Sequence, residues 1–279
     1  MKKFIFILNV FILGVSFIGC NANGSDATTT KSRQTLVVGM EAAYAPFNWT
    51  VSEDAAYEGA MEIYGTNNYA DGYDVMIASL IAQALDMDLV IKAIEWDGLI
   101  PSLVTSEEID LIIAGMSPTA ERAQTVLFTN EYYQSTHVVV LRSDSEYANA
   151  TSINDFNGAN VVAQLSTIYD DLVVQLTGAN HLAPLGDVPT IITALKQGTY
   201  DLTILELPVA LALTETNPEL TYIEFSEGNG FDVAYEDSAV AIALRLNETD
   251  LRDQINAILA EMTNADFEDL MTEALSRQP

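Results

Sequence analysis

The chain has 279 residues, 49% of them hydrophobic, which is enough to fill real cores, and it carries 11 Lys and Arg against 40 Asp and Glu, a formal charge of −29. So few basic residues exclude a nucleic-acid partner, because phosphate contacts need basic patches. A single cysteine excludes an internal disulfide. The acidic surplus sets up a field that attracts a cationic solute, and it equally suits a surface tuned for solubility.

Residues 1–19 have the layout of a signal peptide. Lys2 and Lys3 precede an apolar core, Phe4 to Phe17, that is too short for an ordinary membrane span. Gly19-Cys20 ends it. A sole cysteine at that place predicts a lipoprotein whose mature N-terminus is lipidated Cys20, with a flexible Ser-, Thr- and Asn-rich tether through residue 34.

Strands and helices then alternate. Thr35 to Gly39 reads as a strand, and Val51 to Ala70 as a long surface loop. Asp74 is placed to cap a helix running to Leu85, whose apolar face is Val75, Ile77, Leu80, Ile81 and Ala84. Leu89 to Ile94 is the next strand, and Trp96 opens another helix with Pro101 in its first turn. Asp110 to Ile113 is a short apolar strand that stops at Gly115. Ser117, Thr119 and Glu121 follow as helix-start chemistry, with Thr119 as the cap and Arg122 one turn in. Free N–H groups, two hydroxyls and a guanidinium converge there, an assembly that suits a carboxylate.

After a strand at Val138 to Leu141 the same grammar restarts. Asn160 to Gln164 is a strand, and Ser166 and Thr167 cap the following helix. Val188 to Gln197 is a helix, and Asp201 to Leu205 a strand closed by Glu206. Pro208 starts the next helix. Asp237 to Arg245 returns as a strand, and helices over Asn247 to Met262 and Ala265 to Ser276 finish the chain. Short links between alternating elements predict parallel α/β sheets with ligands at the strand ends, in two lobes with a cleft between them. His137 and His181 lack metal-ligand spacing, so neither a metal nor a cofactor is expected. No Ser-His-Asp set and no phosphate-binding glycine loop is present.

Seven motifs carry a resemblance: Gly39 to Phe47 (GMEAAYAPF), Gly72 to Val75 (GYDV), Trp96 to Leu103 (WDGLIPSL), Asp110 to Arg122, Tyr132-Tyr133 with Val138 to Val140, Val161 to Thr167, and Asp201 to Pro208. In this order and spacing the chain resembles the polar amino-acid-binding proteins of ABC transporters, bacterial solute-binding protein family 3. The resemblance implies the two-lobed type II periplasmic-binding-protein fold with two hinge strands. Lobe 1 would be residues 35–140 plus 235–279, and lobe 2 residues 141–234. It implies a monomer that closes over one free L-amino acid and hands it to an ABC permease.

Roles follow residue by residue. Arg122 would grip the α-carboxylate, Gly115 would offer its carbonyl to the α-ammonium, and Ser117 its hydroxyl or N–H to the carboxylate. Thr119, Ser166 and Thr167 would add donors from the turns and the helix start. Glu206 stands where the family usually has Asp against the ammonium. Trp96 and Tyr44 would sandwich the ligand side chain, with Phe47 or Trp49 as alternatives to Tyr44. Glu41 and Gln164 would read its far end. A cationic ligand, arginine or lysine, is expected. The alternatives are a neutral polar ligand, glutamine or cystine, and a cyclohexadienyl-dehydratase-like enzyme using Glu206 as its acid.

Overall fold

The computed structural model describes residues 33–278. The expected signal peptide, Cys20 and almost all of the tether lie outside the described residues.

The chain begins with β1 (Thr35–Met40), whose alternate residues Leu36, Val38 and Met40 are buried. It then forms a small antiparallel sheet in the order β2-β3-β5-β4, from β2 (Ala43–Tyr44), β3 (Asn48–Ser52), β4 (Met61–Glu62) and β5 (Asn68–Asp71). The stretch expected as a surface loop is therefore structured. Trp49 and Val51 of β3 point inward while Thr50 is exposed, the period-2 pattern of a half-buried strand. The Gly and polar residues of the β4 hairpin hide that pattern. Gly72 ends this sheet at φ +126, where a Cβ would press into the Phe47 carbonyl.

α1 (Tyr73–Ala84) starts directly after Gly72, which is its N-cap. Asp74 is not the cap. Its side chain is fully buried and accepts hydrogen bonds from Asn48 Nδ2 and Tyr132 Oη, each at 2.7 Å. β6 (Asp88–Ala93) and a 3-10 turn over Trp96–Gly98 lead into α2 (Leu99–Val104). β7 is only Leu111–Ile112. β8 (Val126–Gln134) and β9 (His137–Arg142) follow. β8 was not anticipated. It forms because its partner β14, the strand expected near residues 237–245, lies beside it over most of its length.

The second half contains β10 (Asn160–Val161), α3 (Ile168–Leu172), β11 (Asn180–His181), α4 (Val188–Lys196), β12 (Leu202–Glu206), α5 (Leu207–Thr216), β13 (Leu220–Ile223), α6 (Tyr235–Ser238), β14 (Ala239–Arg245), α7 (Thr249–Leu259) and α8 (Asn264–Arg277). α4 is capped as its sequence suggests, with Asp187 accepting from Thr190 N–H at 2.7 Å and a proline in the first turn.

Two five-stranded sheets organise the molecule, in the orders β6-β1-β7-β14-β8 and β11-β10-β12-β9-β13. Each joins three parallel strands to a strand that runs against them and an edge strand antiparallel to that one, so the expected parallel sheets carry an antiparallel pair at one edge. The antiparallel strands belong to the two crossings between sheets. One crossing is Ser135-Thr136, between β8 and β9; the other runs from β13 through α6 to β14. They touch where Ser135 N–H donates to the Ser238 carbonyl at 2.9 Å. β9 is buried on both faces. Val138 and Val140 pack with α4 and α5, while Val139 and Leu141 pack with Phe156, Tyr169 and Leu172. That is why its sequence is a continuous apolar run.

Candidate ligand-binding site

The C-terminal ends of the parallel strands of both sheets face one cleft. Its lining is Glu41, Tyr44, Trp96, Gly115, Ser117, Arg122, Gln164, Thr167, Ile168, Tyr169 and Glu206. Nine of the eleven expected site residues are brought together here. Thr119 and Ser166 are the two whose side chains are outside the lining, and both act on Arg122 instead.

Arg122 lies in a single 3-10 turn, Arg122–Gln124, and not one turn into a capped α-helix. Pro118 and the short link to β8 leave no room for a longer helix. The Thr119 hydroxyl still accepts from the Arg122 N–H, at 3.2 Å. The guanidinium donates to the Ser117 carbonyl at 2.9 Å and to the Ser166 carbonyl at 3.1 Å, and it lies over the Trp96 ring at 5.2 Å. Ser117 precedes β8 and Ser166 precedes α3, so one side chain bridges both halves of the cleft. Burial lowers the pKa of Arg122, yet no protein environment of this kind neutralises a guanidinium. Two of its five N–H donors are spent on these carbonyls, leaving donors for an anion.

Ser166 sits at φ +60, in the left-handed region. This places its carbonyl where Trp96 Nε1 also donates to it, at 3.1 Å. The role belongs to the backbone, so no side-chain type could have signalled it. Thr167 occupies the N-cap position of α3 without capping it; its hydroxyl donates to the Gln164 carbonyl at 2.7 Å. Gly115 has φ +62, and a Cβ there would meet the Tyr44 ring at 3.2 Å. Only glycine brings the backbone this close to the aromatic wall. Tyr44 itself stacks on Phe47 at 5.6 Å. Phe47 and Trp49 are buried beneath and are not part of the lining.

Two carboxylates complete the cleft. Glu206 ends β12 with its side chain buried. Its Oε1 accepts from Tyr169 Oη at 2.6 Å and from Tyr44 Oη at 3.1 Å. Burial pushes its pKa up to about 7 against the pull of those two hydroxyls. Glu41 follows β1 and accepts from Gln164 Nε2 at 3.0 Å. Burial, then the negative charges of Asp187 and Glu95, raise its pKa to about 7 as well, with the Gln164 bond opposing. Gln164 is fixed by a second bond to the Gly186 carbonyl at 3.0 Å. Tyr169 was not among the expected residues.

Cross-cleft bonds therefore join Tyr44 to Glu206, Gln164 to Glu41, and both Trp96 and Arg122 to Ser166. The lobes are closed on each other, leaving only about 20 Å³ of room between them. An amino acid is far larger, so entry requires the lobes to part, the hinge motion that such folds use. A roomier hollow of about 640 Å³ opens by the first residues of β1 and by α7, lined by Asp110, Glu248 and Asp250. It lies at the N-terminal edge of β1, whereas ligands of open α/β sheets bind at the carboxyl ends. Among the described residues no group of His, Cys, Asp or Glu could hold a metal ion, and no helix is long and apolar enough to cross a membrane.

Two α/β lobes closing over a cleft that bears a bridging arginine, a buried acid and a half-buried one define a solute-binding protein. The chain belongs to the bacterial extracellular solute-binding proteins, family 3, whose model matches residues 36–273. That places it among binding proteins and not among enzymes. It is similar to the arginine-binding extracellular protein ArtP of Bacillus subtilis, with 26% identity over 97% of this chain and 96% of that protein. It is also similar to a probable histidine-binding protein of Campylobacter jejuni, with 28% identity over 85% of this chain and 87% of that protein. Among solved structures, the amino acid ABC transporter substrate-binding protein AbpA of Streptococcus pneumoniae, bound to L-arginine, superposes with a TM-score of 0.72 at 25% identity, covering 88% of this chain and 95% of that one.

Proposed function

We propose that the cleft captures a free L-amino acid with a cationic side chain, arginine or lysine, and delivers it to an ABC permease. The observation that carries this is the charge of the lining: one guanidinium, Arg122, and two carboxylates, Glu206 and Glu41. A ligand with one carboxylate and two cationic groups matches that set. In this reading Arg122 takes the α-carboxylate, with help from Ser117 and Thr167. Glu206 and the Gly115 carbonyl take the α-ammonium. Glu41, held by Gln164, takes the side-chain cation between Trp96 and Tyr44, where cation–π attraction adds roughly 0.5–2 kcal/mol. Asp187 and Glu95 extend the negative field around Glu41. The relatives named for arginine binding support the same choice.

We infer further that two lobes, divided at the crossings, open and close as rigid bodies on a single polypeptide. The lipid at Cys20 would hold this monomer near its permease; mass spectrometry of the mature N-terminus tests that anchor. Calorimetry with a ligand panel tests the ligand. Arginine or lysine should bind more tightly than glutamine, cystine and glutamate. Glutamine at least about tenfold tighter than both cations, or tight glutamate binding, would overturn the assignment.

A further inference from the structure

Glu206 needs to be aimed as well as charged. Its side chain has three rotatable torsions, and ordering such a chain carries an entropic cost. A carboxylate that spins offers no fixed acceptor. Tyr169 Oη donates to Glu206 Oε1 at 2.6 Å, and Tyr169 is itself 5% exposed. Its ring is wedged by His137, with centroids 5.7 Å apart. Glu206 Oε2 is buried and has no hydrogen-bond partner among the described residues, although the residue lines the cleft.

We propose that Tyr169 is the positioning residue of the site: its hydroxyl fixes Glu206 Oε1 and leaves Oε2 as the acceptor for the ligand's α-ammonium. The two tyrosines divide the work. Tyr169 is in α3, and α3 packs on β12, which carries Glu206. Their bond lies within one lobe and persists when the cleft opens. Tyr44 follows β1 in the other lobe, so its 3.1 Å bond to the same oxygen forms only on closure. Tyr169 thus presents a prepared acceptor to an arriving ligand, and Tyr44 latches it. This rests on Glu206 taking the ammonium. The titratable groups facing Glu206 are Tyr169 and Tyr44, which donate to it, Asp74 and Tyr133 close by, His137 opposite it on β9, and Glu41 and Arg122 in the same cleft lining.

The test is L-arginine calorimetry on the full chain and on Tyr169→Phe, from about pH 6 to about pH 9. Loss of a hydrogen bond to a charged group weakens binding by about tenfold or more. It also lets Glu206 keep its proton to higher pH, since the Tyr169 bond is a cause that lowers its pKa. The deficit should therefore be largest at the acid end, near about pH 6, and shrink toward about pH 9. A merely structural role would weaken binding by the same factor at every pH. Replacement of Tyr169 by 3-fluorotyrosine keeps the shape and strengthens the donor, so the affinity profile should move to lower pH; this arm holds if Tyr169→Phe fails to fold. Tight wild-type binding with an unchanged affinity, or a pH-independent deficit, in Tyr169→Phe would overturn the proposal alone. Absence of arginine and lysine binding in the wild type would overturn the cleft reading and the proposal with it.

Discussion

Substituting Arg122 should cost more affinity than any other single change in the cleft. In the closed structure its guanidinium holds two carbonyls from opposite lobes, at 2.9 and 3.1 Å, and covers the Trp96 ring. Each charge-assisted bond contributes about 1.5–3 kcal/mol, so removing the side chain weakens closure even before the ligand is counted. The ligand carboxylate then sits buried without its cation. Losing one member of such a pair costs about 2–5 kcal/mol, or roughly 30-fold to several thousandfold in affinity. Arg122→Ala should fall in that range by calorimetry with L-arginine. Arg122→Lys should also bind poorly, because an ammonium lacks the planar fork that reaches Ser117, Ser166 and a carboxylate together. A loss below about threefold for Arg122→Ala would show that the carboxylate lies elsewhere, since even one charged hydrogen bond is worth more.

Three further outcomes follow from the acids. Glu41→Gln should weaken arginine and lysine by about tenfold or more while leaving glutamine nearly unchanged, and calorimetry with the three ligands checks this; an equal loss for all three would place Glu41 outside the side-chain pocket. Arginine affinity should rise from about pH 5 through about pH 7 and level off only above about pH 8, because Glu206 and Glu41 must lose protons to pair with the ligand's cations. For the ligand-free protein the same raised pKa values act in the opposite sense: their stabilising contribution is fully present in acid and is lost as pH rises through about 7, which thermal melting with and without arginine will read.

The side-chain chemistry of the cleft was legible wherever a polar residue ended an apolar run. Glu206 ends a buried strand, Glu41 directly follows one, Ser117 stands a few residues beyond another, and Arg122 follows on the turn after Ser117, at the strand ends where an α/β fold puts its ligands. Tyr169 was not legible. It lies one residue past Ile168 in a helix whose apolar spacing makes a buried tyrosine look like core, and only the fold brings it to Glu206. Ser166 was read as a cap, but its carbonyl carries the contact. Asp74 also reads locally as a cap, because its partners Asn48 and Tyr132 are distant in sequence. That buried network links the small antiparallel sheet, α1 and β8. The small sheet escaped for a similar reason: Trp49 and Val51 alternate properly, yet Gly59 and Gly65 in the hairpin beyond them carry the signature of a loop.

A crystal structure of the protein with L-arginine tests the central claim most directly. It should show the α-carboxylate on the Arg122 guanidinium, the α-ammonium within hydrogen-bond distance of Glu206, and the ligand guanidinium at Glu41 between Trp96 and Tyr44. Arginine bound with its ends reversed, or at a place that leaves Arg122 and Glu206 without contact to it, would contradict the account.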